Sequence, residues 1–366
     1  MGITIFLALV IIAYPSYLLL RWGIIFLQVG KEEELPEVNL SGKLHEPPNN
    51  LKPYFVDTLL NKTLTPSGRS ISSTLLELVR IGFIRILYKD KITPSGARKR
   101  RYYLEFNEKK AGEIINLPRI EQRLLAFIFQ GVGNVATFSE IKTYGIRKAS
   151  VTRKFWKYWK DEVVYELVKM GFIDEDSYFT EGFFRKELVA VFSVITFTLY
   201  LDLQLASDYT IGSNNTPLIV LTIFFVAMII TFIILKFLKM YMYKRTDKGR
   251  EEYARWLAFK NWLEAYSVTK NYPIDSLVLW EKYLIYGLAF GVSKKALSEL
   301  QVNYSISDLG GSSLGEIVLL KGSVEGDYDI SSLFSEIAEF SSLVTGIYSG
   351  VEKEEKEIIS GNKQIE

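Results

Sequence analysis

The chain has 366 residues and a formal net charge of +2, and 48% of its residues are apolar, more than a single soluble core of this size buries. It contains no cysteine, which excludes disulfides, thiolate metal sites and cysteine nucleophiles. Its one histidine, His45, lies in the proline-flanked stretch "KLHEPPNN", where a solvated side chain is the expectation, and this weakens most acid–base and metal-dependent schemes.

The apolar excess falls in three blocks. The first, residues 3–29, reads "ITIFLALVIIAYPSYLLLRWGIIFLQV". At 1.5 Å per residue it reaches roughly 40 Å as a helix, enough to cross a tilted bilayer. No basic residue precedes it, so it reads as an uncleaved anchor over residues 1–30 and not as a signal peptide. Pro15 is expected to kink it, and Arg21 to snorkel toward headgroups.

A charged, proline-bearing linker, residues 31–50, leads into a segment that holds a repeat. "ELVRIGFI" at residues 77–84 recurs as "ELVKMGFI" at residues 166–173. In the first copy Ile71, Leu75, Leu78 and Val79 recur at helical spacing, with Ser70 as expected N-cap and Gly82 as the stop. Residues 83–88 then read as a strand, "TPSG" at 93–96 as a turn and "YYLEF" as a return strand. Helix, glycine stop and hairpin make the last part of a winged helix, predicting one such domain over residues 51–112. "LPRIEQRLLAFIF", "TFSEIKTYGI" and "VTRKFWKYWKDEVVYELVKM" read as helices of a second, over residues 113–180, in which Phe172 and Ile173 restart an extended segment. The repeated octapeptide itself reads as core packing and a left-handed glycine cap, not as a site.

Two basic clusters are the candidate contact surfaces for lipid, a partner or nucleic acid. One is the basic turn Arg98, Lys99, Arg100 and Arg101, where the wing is expected. The other is Arg153, Lys154 and Lys157 in "RKASVTRKFWKYWK", where Phe155, Trp156 and Trp159 at helical spacing are expected to be core beneath a basic outer face. The first helix presents Ser70, Ser73, Thr74, Glu77 and Arg80 on the face opposite its core, a poor base-reading set.

Residues 187–206 and 217–240 are the second and third spans, joined by an outer turn at 207–216. Arg185 and Lys186 precede the pair, and Lys236, Lys239, Lys244 and Arg245 follow it. The turn carries no Lys or Arg, so both flanks are expected in the cytosol and, with three spans, the N-terminus outside. Asp202 sits near the outer interface. Residues 241–300 form a helical module, starting with a helix that continues from the membrane over 243–267. The apolar stretch 277–292 is interrupted by Glu281 and Lys282 and reads as a packed or surface helix instead of a fourth span. Residues 301–366 are an acidic, partly flexible tail, although "SSLFSEIAEFSSLVTGIYS" has helical character. Residues 31–186 hold 27 Lys and Arg against 20 Asp and Glu, a net of +7, whereas residues 241–366 hold 14 against 19, a net of −5. Opposite signs suit docking of the two parts on each other.

The stretches "EPPNNLKP" at 46–53, "STLLELVRIGFIRI" at 73–86, "KRTDKGREEYARWLAFKNWLEAY" at 244–266 and "WEKYLIYGLAFGVSKK" at 280–295, in this order around a span pair, resemble the predicted membrane proteins of bacteria and archaea that carry domain of unknown function 2207. The resemblance implies the architecture and no reaction, since that family has none established. Its members usually carry an extracytoplasmic domain before the first span and a glycine-rich tail, neither of which is read in this sequence.

The fold class expected is therefore a mainly α membrane protein, with three transmembrane helices and α+β winged-helix-like cytosolic domains. The expected role is a plasma-membrane interaction or scaffold protein that is not an enzyme and holds no cofactor or metal. Its expected partners are membrane lipid, an unidentified protein and a second copy of itself, with nucleic acid disfavoured. A membrane-bound transcription regulator is the alternative.

Overall fold

The computed structural model describes residues 2–30, 34, 36, 46–92, 98–207, 216–269, 277–292 and 331–348. His45 and the "TPSG" turn lie outside them. The described chain is mainly helical, with one small antiparallel sheet. It divides into two compact units, Met1–Pro36 with Lys62–Leu64 and Val168–Arg250, and Glu37–Asn61 with Thr65–Leu167 and Glu251–Glu366.

The first unit is built on α1 (Gly2–Ile25), which ends in a π turn (Phe26–Gly30), α7 (Glu175–Ser207) and α8 (Thr216–Met240). Leu18 and Trp22 of α1, Phe184, Val191 and Ile195 of α7, and Met228 and Leu235 of α8 form its buried seam. The Trp22 and Phe184 rings meet edge to face at 4.0 Å. Residues of the opposite faces, among them Val189, Phe192, Phe197, Ile219, Ile223 and Ile230, point outward. Apolar side chains on the outside of a helix pair long enough to span are what a hydrocarbon solvent permits and water does not. Arg21 does not simply snorkel: its guanidinium pairs with Glu187 of α7, Nη1 to Oε2 3.0 Å. Asp202 is also held, accepting the Thr222 hydroxyl of α8 at 3.1 Å. Below the apolar part of α7, Glu181 is gripped by Arg185 and Lys239, each at 3.1 Å.

The second unit begins with α2 (Pro53–Leu60) and α3 (Gly68–Arg80), followed by β1 (Ile84–Ile92), β2 (Arg98–Phe106) and a 3₁₀ turn (Glu108–Asn116). It continues with α4 (Arg119–Phe129), β3 (Val135–Thr137), α5 (Phe138–Arg147) and α6 (Ala149–Lys169). After α8 come α9 (Asp247–Thr269), α10 (Leu277–Phe290) and α11 (Ser331–Tyr348). The division between units falls within α6 and α9. The sheet order is β1-β2-β3, with Tyr103 paired to Thr137. Thus the hairpin that follows the first copy takes its third strand from the segment expected to belong to the second domain. The helices of the two copies also share a core, since Trp159 of α6 donates its indole N–H to Ser70 Oγ of α3 at 2.9 Å.

Several local expectations are corrected. Ser67, not Ser70, caps α3, accepting the Arg69 amide at 3.2 Å. The face of α3 expected in solvent is buried, including Ser70, Ser73, Thr74 and Glu77: Trp159 of α6 lies on Ser70, and α10 and α11 also pack against the helix. Small hydroxyls permit this by bonding back to helix carbonyls, Ser73 to Arg69 O at 2.8 Å and Thr74 to Ser70 O at 2.6 Å. The helix after α8 does not continue from it: residues 241–246 belong to no helix and α9 starts at Asp247. α10 is a packed helix, with Glu281 and residues 283–290 buried in the second unit. The helical stretch in the tail is α11, which buries Leu333, Ile337, Phe340 and Val344.

Candidate functional site

α6 follows α5 after the single residue Lys148, and the corner is tight. Thr152 Oγ1 donates to Gly145 O at 2.9 Å, and Glu140 and Thr137 close a capping box that starts α5. That box holds the Glu140 carboxyl below its ordinary range, chiefly through the Thr137 backbone N–H. Phe155, Trp156 and Trp159 are buried, with Phe127 of α4 stacked on Phe155 at 4.3 Å. Periodicity then dictates the rest: Arg153, Lys154 and Lys157 are exposed on the outer face, as the spacing predicts. Sequence reading missed α4's share of this surface. Arg119 and Arg123 are exposed, and Arg123 lies over the Tyr158 ring at 4.7 Å. Burial raises the Tyr158 hydroxyl pKa, Glu162 adds to that, and Arg123 and Arg119 oppose it. The i, i+4 spacing of the two arginines in "LPRIEQRLL" was the available signal.

The other basic cluster is not a turn. Arg98, Lys99, Arg100 and Arg101 are the first residues of β2, in register with Ile92, Lys91, Asp90 and Lys89. Antiparallel pairing satisfies the backbone as far as Arg98, which is why the strand extends past the aromatic residues that suggested it. The side chains of Arg98, Lys99 and Arg100 lie outside the described ones; Arg101 is exposed. The structure brings Arg153, Lys154 and Lys157 together on one helix face and places Arg101 on a separate element.

Charged residues from the quoted stretches converge in the second unit. Glu252 accepts both Asn49 Nδ2 and the Trp256 indole N–H, the latter at 2.7 Å. Tyr286 donates to Leu51 O at 2.7 Å, and Arg69 to Phe290 O at 3.1 Å. Lys52 reaches Glu121 Oε1 at 2.8 Å, and burial raises the Glu121 pKa against that ammonium. Burial likewise pushes the Asp57 carboxyl up to about 6, although Ser67 N–H and Oγ donate to it at 2.7 Å each. These bonds tie α2, α3, α4, α9 and α10 together. The two oppositely charged parts do meet within the second unit, where α10 and α11 pack on α3 and the Phe127 and Phe340 rings stack at 6.2 Å.

The glycine stops of the repeat are as expected, with φ +78° at Gly82 and +72° at Gly171. The contacts made just beyond these glycines are also repeated, which the sequence did not reveal. In the first copy Ile84 pairs with Phe106, and the Asn107 amide donates to Phe83 O at 3.0 Å. Asn107 Nδ2 reaches Gly82 O at 2.8 Å, and Lys110 reaches Ile81 O at 2.7 Å while lying 5.2 Å over the Phe83 ring. In the second copy Ile173 pairs with Arg245, and the Thr246 amide donates to Phe172 O at 3.1 Å. Thr246 Oγ1 reaches Gly171 O at 2.6 Å, and Lys248 reaches Met170 O at 2.8 Å while lying 4.9 Å over the Phe172 ring.

Fold and surface thus define a mainly helical protein with two helices long and apolar enough to cross a membrane and a compact sheet-bearing unit. Residues 42–300 match the family model described as the C-terminal domain of the predicted membrane proteins of DUF2207. The chain belongs to that family. Neither the curated proteins nor the solved structures contain a match.

Proposed function

We propose that this protein is a membrane-anchored interaction protein, not an enzyme, that recruits a protein partner at the inner leaflet of the plasma membrane. The observation that carries this reading is the exposed face of α6 and α4, where Arg153, Lys154, Lys157, Arg119 and Arg123 stand over a rigid aromatic floor. Arginine and half-buried aromatic groups on a preorganised helix pair are the usual anchors of protein interfaces. In this reading α1, α7 and α8 all span, the N-terminus is outside, and the second unit is cytosolic with lipid near its basic residues. The Lys and Arg flanking the α7–α8 pair support that orientation. Affinity purification of the intact protein from detergent tests it. Recovery of one stoichiometric partner, or of a second copy, that is lost in Arg153→Glu/Lys154→Glu/Lys157→Glu is the expected result. Repeated recovery of neither sinks it.

A membrane-bound transcription regulator is the second reading, supported by the abrupt α5–α6 corner beside a basic helix face and by the basic start of β2. Against it, α3 has no exposed reading face. It predicts salt-dependent DNA binding that weakens on replacing Arg98, Lys99, Arg100 and Arg101 with alanine. No retardation of duplex DNA at low salt dismisses it.

A further inference from the structure

The two copies of the octapeptide share five features after the helix: a left-handed glycine, a paired isoleucine, an amide on the phenylalanine carbonyl, a side-chain donor on the glycine carbonyl, and a lysine that bonds the preceding carbonyl across the phenylalanine ring. In the first copy the two halves of this joint, residues 81–84 and 106–110, are connected by the β1–β2 hairpin. In the second copy, residues 170–173 and 245–248 are connected by α7 and α8. We infer that the membrane hairpin stands where the first copy has its β-hairpin, and that the joint of residues 170–174 with 244–249 passes displacements of that hairpin to the carboxyl end of α6.

The joint is built for such a role. Its two strands meet at the root of the hairpin, where the Asp174 amide donates to Lys244 O at 2.9 Å and the Lys244 amide to Ser177 Oγ at 3.2 Å. Asp174 then starts α7, its carboxylate accepting the Ser177 amide at 2.8 Å. On the other side Thr246 starts α9, its hydroxyl accepting the Gly249 amide at 3.0 Å while donating to Gly171 O. Gly249 lies so close to the Phe172 carbonyl that a Cβ there would sit 1.9 Å from its oxygen. No slack remains between the end of α6, the start of α7 and the start of α9. A tilt of α7 therefore moves the Phe172 and Gly171 carbonyls, and with them Thr246 and Lys248, as one body. The inference holds whichever partner the α6 face receives.

The test uses the full-length protein in bilayers of dilauroyl or dioleoyl phosphatidylcholine, whose different thickness changes the tilt demanded of the spans. Hydrogen exchange is followed over residues 165–170, with α4 as the internal reference for an intact fold. In the wild type, exchange at the end of α6 is expected to change several-fold between the two lipids. In Thr246→Val/Lys248→Met this response is expected to vanish, whereas Asn107→Ala/Lys110→Met, the same lesion in the first copy, leaves it in place. Should the double variant fold poorly, Lys248→Met is compared with Lys248→Arg, which keeps the bond to Met170 O and the response. An equal response in wild type and Lys248→Met, or no response in the wild type, overturns the inference.

Discussion

At the scale of single residues, the buried acids set a measurable dependence on pH. Asp57 is 2% exposed and its folded pKa is raised from 3.8 to about 6 by burial, with Ser67 and then Arg69 pulling the other way. A raised pKa means that the folded state holds the proton more tightly than the unfolded one. Its stabilising contribution is full below the unfolded pKa and is lost as pH rises through about 6. Lowering the pH from 7 to 5 should therefore add about 1 kcal/mol of stability through this group. Thermal unfolding in detergent of wild type and Asp57→Asn across that interval checks it, and an unchanged difference between the two proteins excludes it. Lys52 and Glu121 give a second case. Removing only the cation strands a fully buried carboxylate, so Lys52→Met should cost roughly 3 kcal/mol, while Lys52→Met/Glu121→Met recovers most of that loss. A double variant no more stable than the single one refutes the pairing. None of this was legible in the sequence, where Lys52 and Glu121 are 69 positions apart (121 − 52).

At the scale of elements, the sequence was informative wherever one periodicity acted alone. α4, α5 and α6 lie where their apolar spacing predicts, and the basic outer face of α6 follows from its buried Phe155, Trp156 and Trp159. It was misleading where a second layer covers a polar-looking face. The serines and threonine of α3 read as solvent-facing because the helices that pack against α3 are distant in sequence, α6 with Trp159 on Ser70 and α10 and α11 from beyond residue 276. β3 is three residues long, too short for alternation to register, and it pairs only because β2 offers an edge. The joint was hidden for another reason, since its partners are separated by two whole helices. It is testable as an element. Gly249→Ala must move the Phe172 carbonyl and should cost roughly 2–3 kcal/mol. Gly182→Ala, in α7 with open space around its Cβ position, should instead be neutral or stabilising by up to about 1 kcal/mol. Denaturation midpoints of the two variants in the same detergent give the comparison, and equal midpoints contradict the close approach.

At the scale of the whole molecule, the question is which side of the membrane each part occupies. The absence of cysteine makes the chain its own background for single-cysteine labelling. If the Lys and Arg flanking α7 and α8 fix the orientation, Ser213→Cys, between α7 and α8 in the sequence, should react with a membrane-impermeant maleimide on intact cells. Lys157→Cys on α6 and Ser342→Cys on α11, both exposed, should react only after permeabilisation. These two must behave alike, because α11 packs against α3 and α5 in the same unit, so a fourth span at α10 would separate what the fold holds together. Gly2→Cys distinguishes three spans from two: labelling from outside requires α1 to cross with the pair whose seam it fills through Leu18 and Trp22. Labelling of Gly2→Cys only after permeabilisation would leave α1 lying against the pair without crossing. The Arg21–Glu187 ion pair, placed near the charged ends of α1 and α7, sets the expectation, because two charges that satisfy each other at one level of the bilayer let both helices cross beside it.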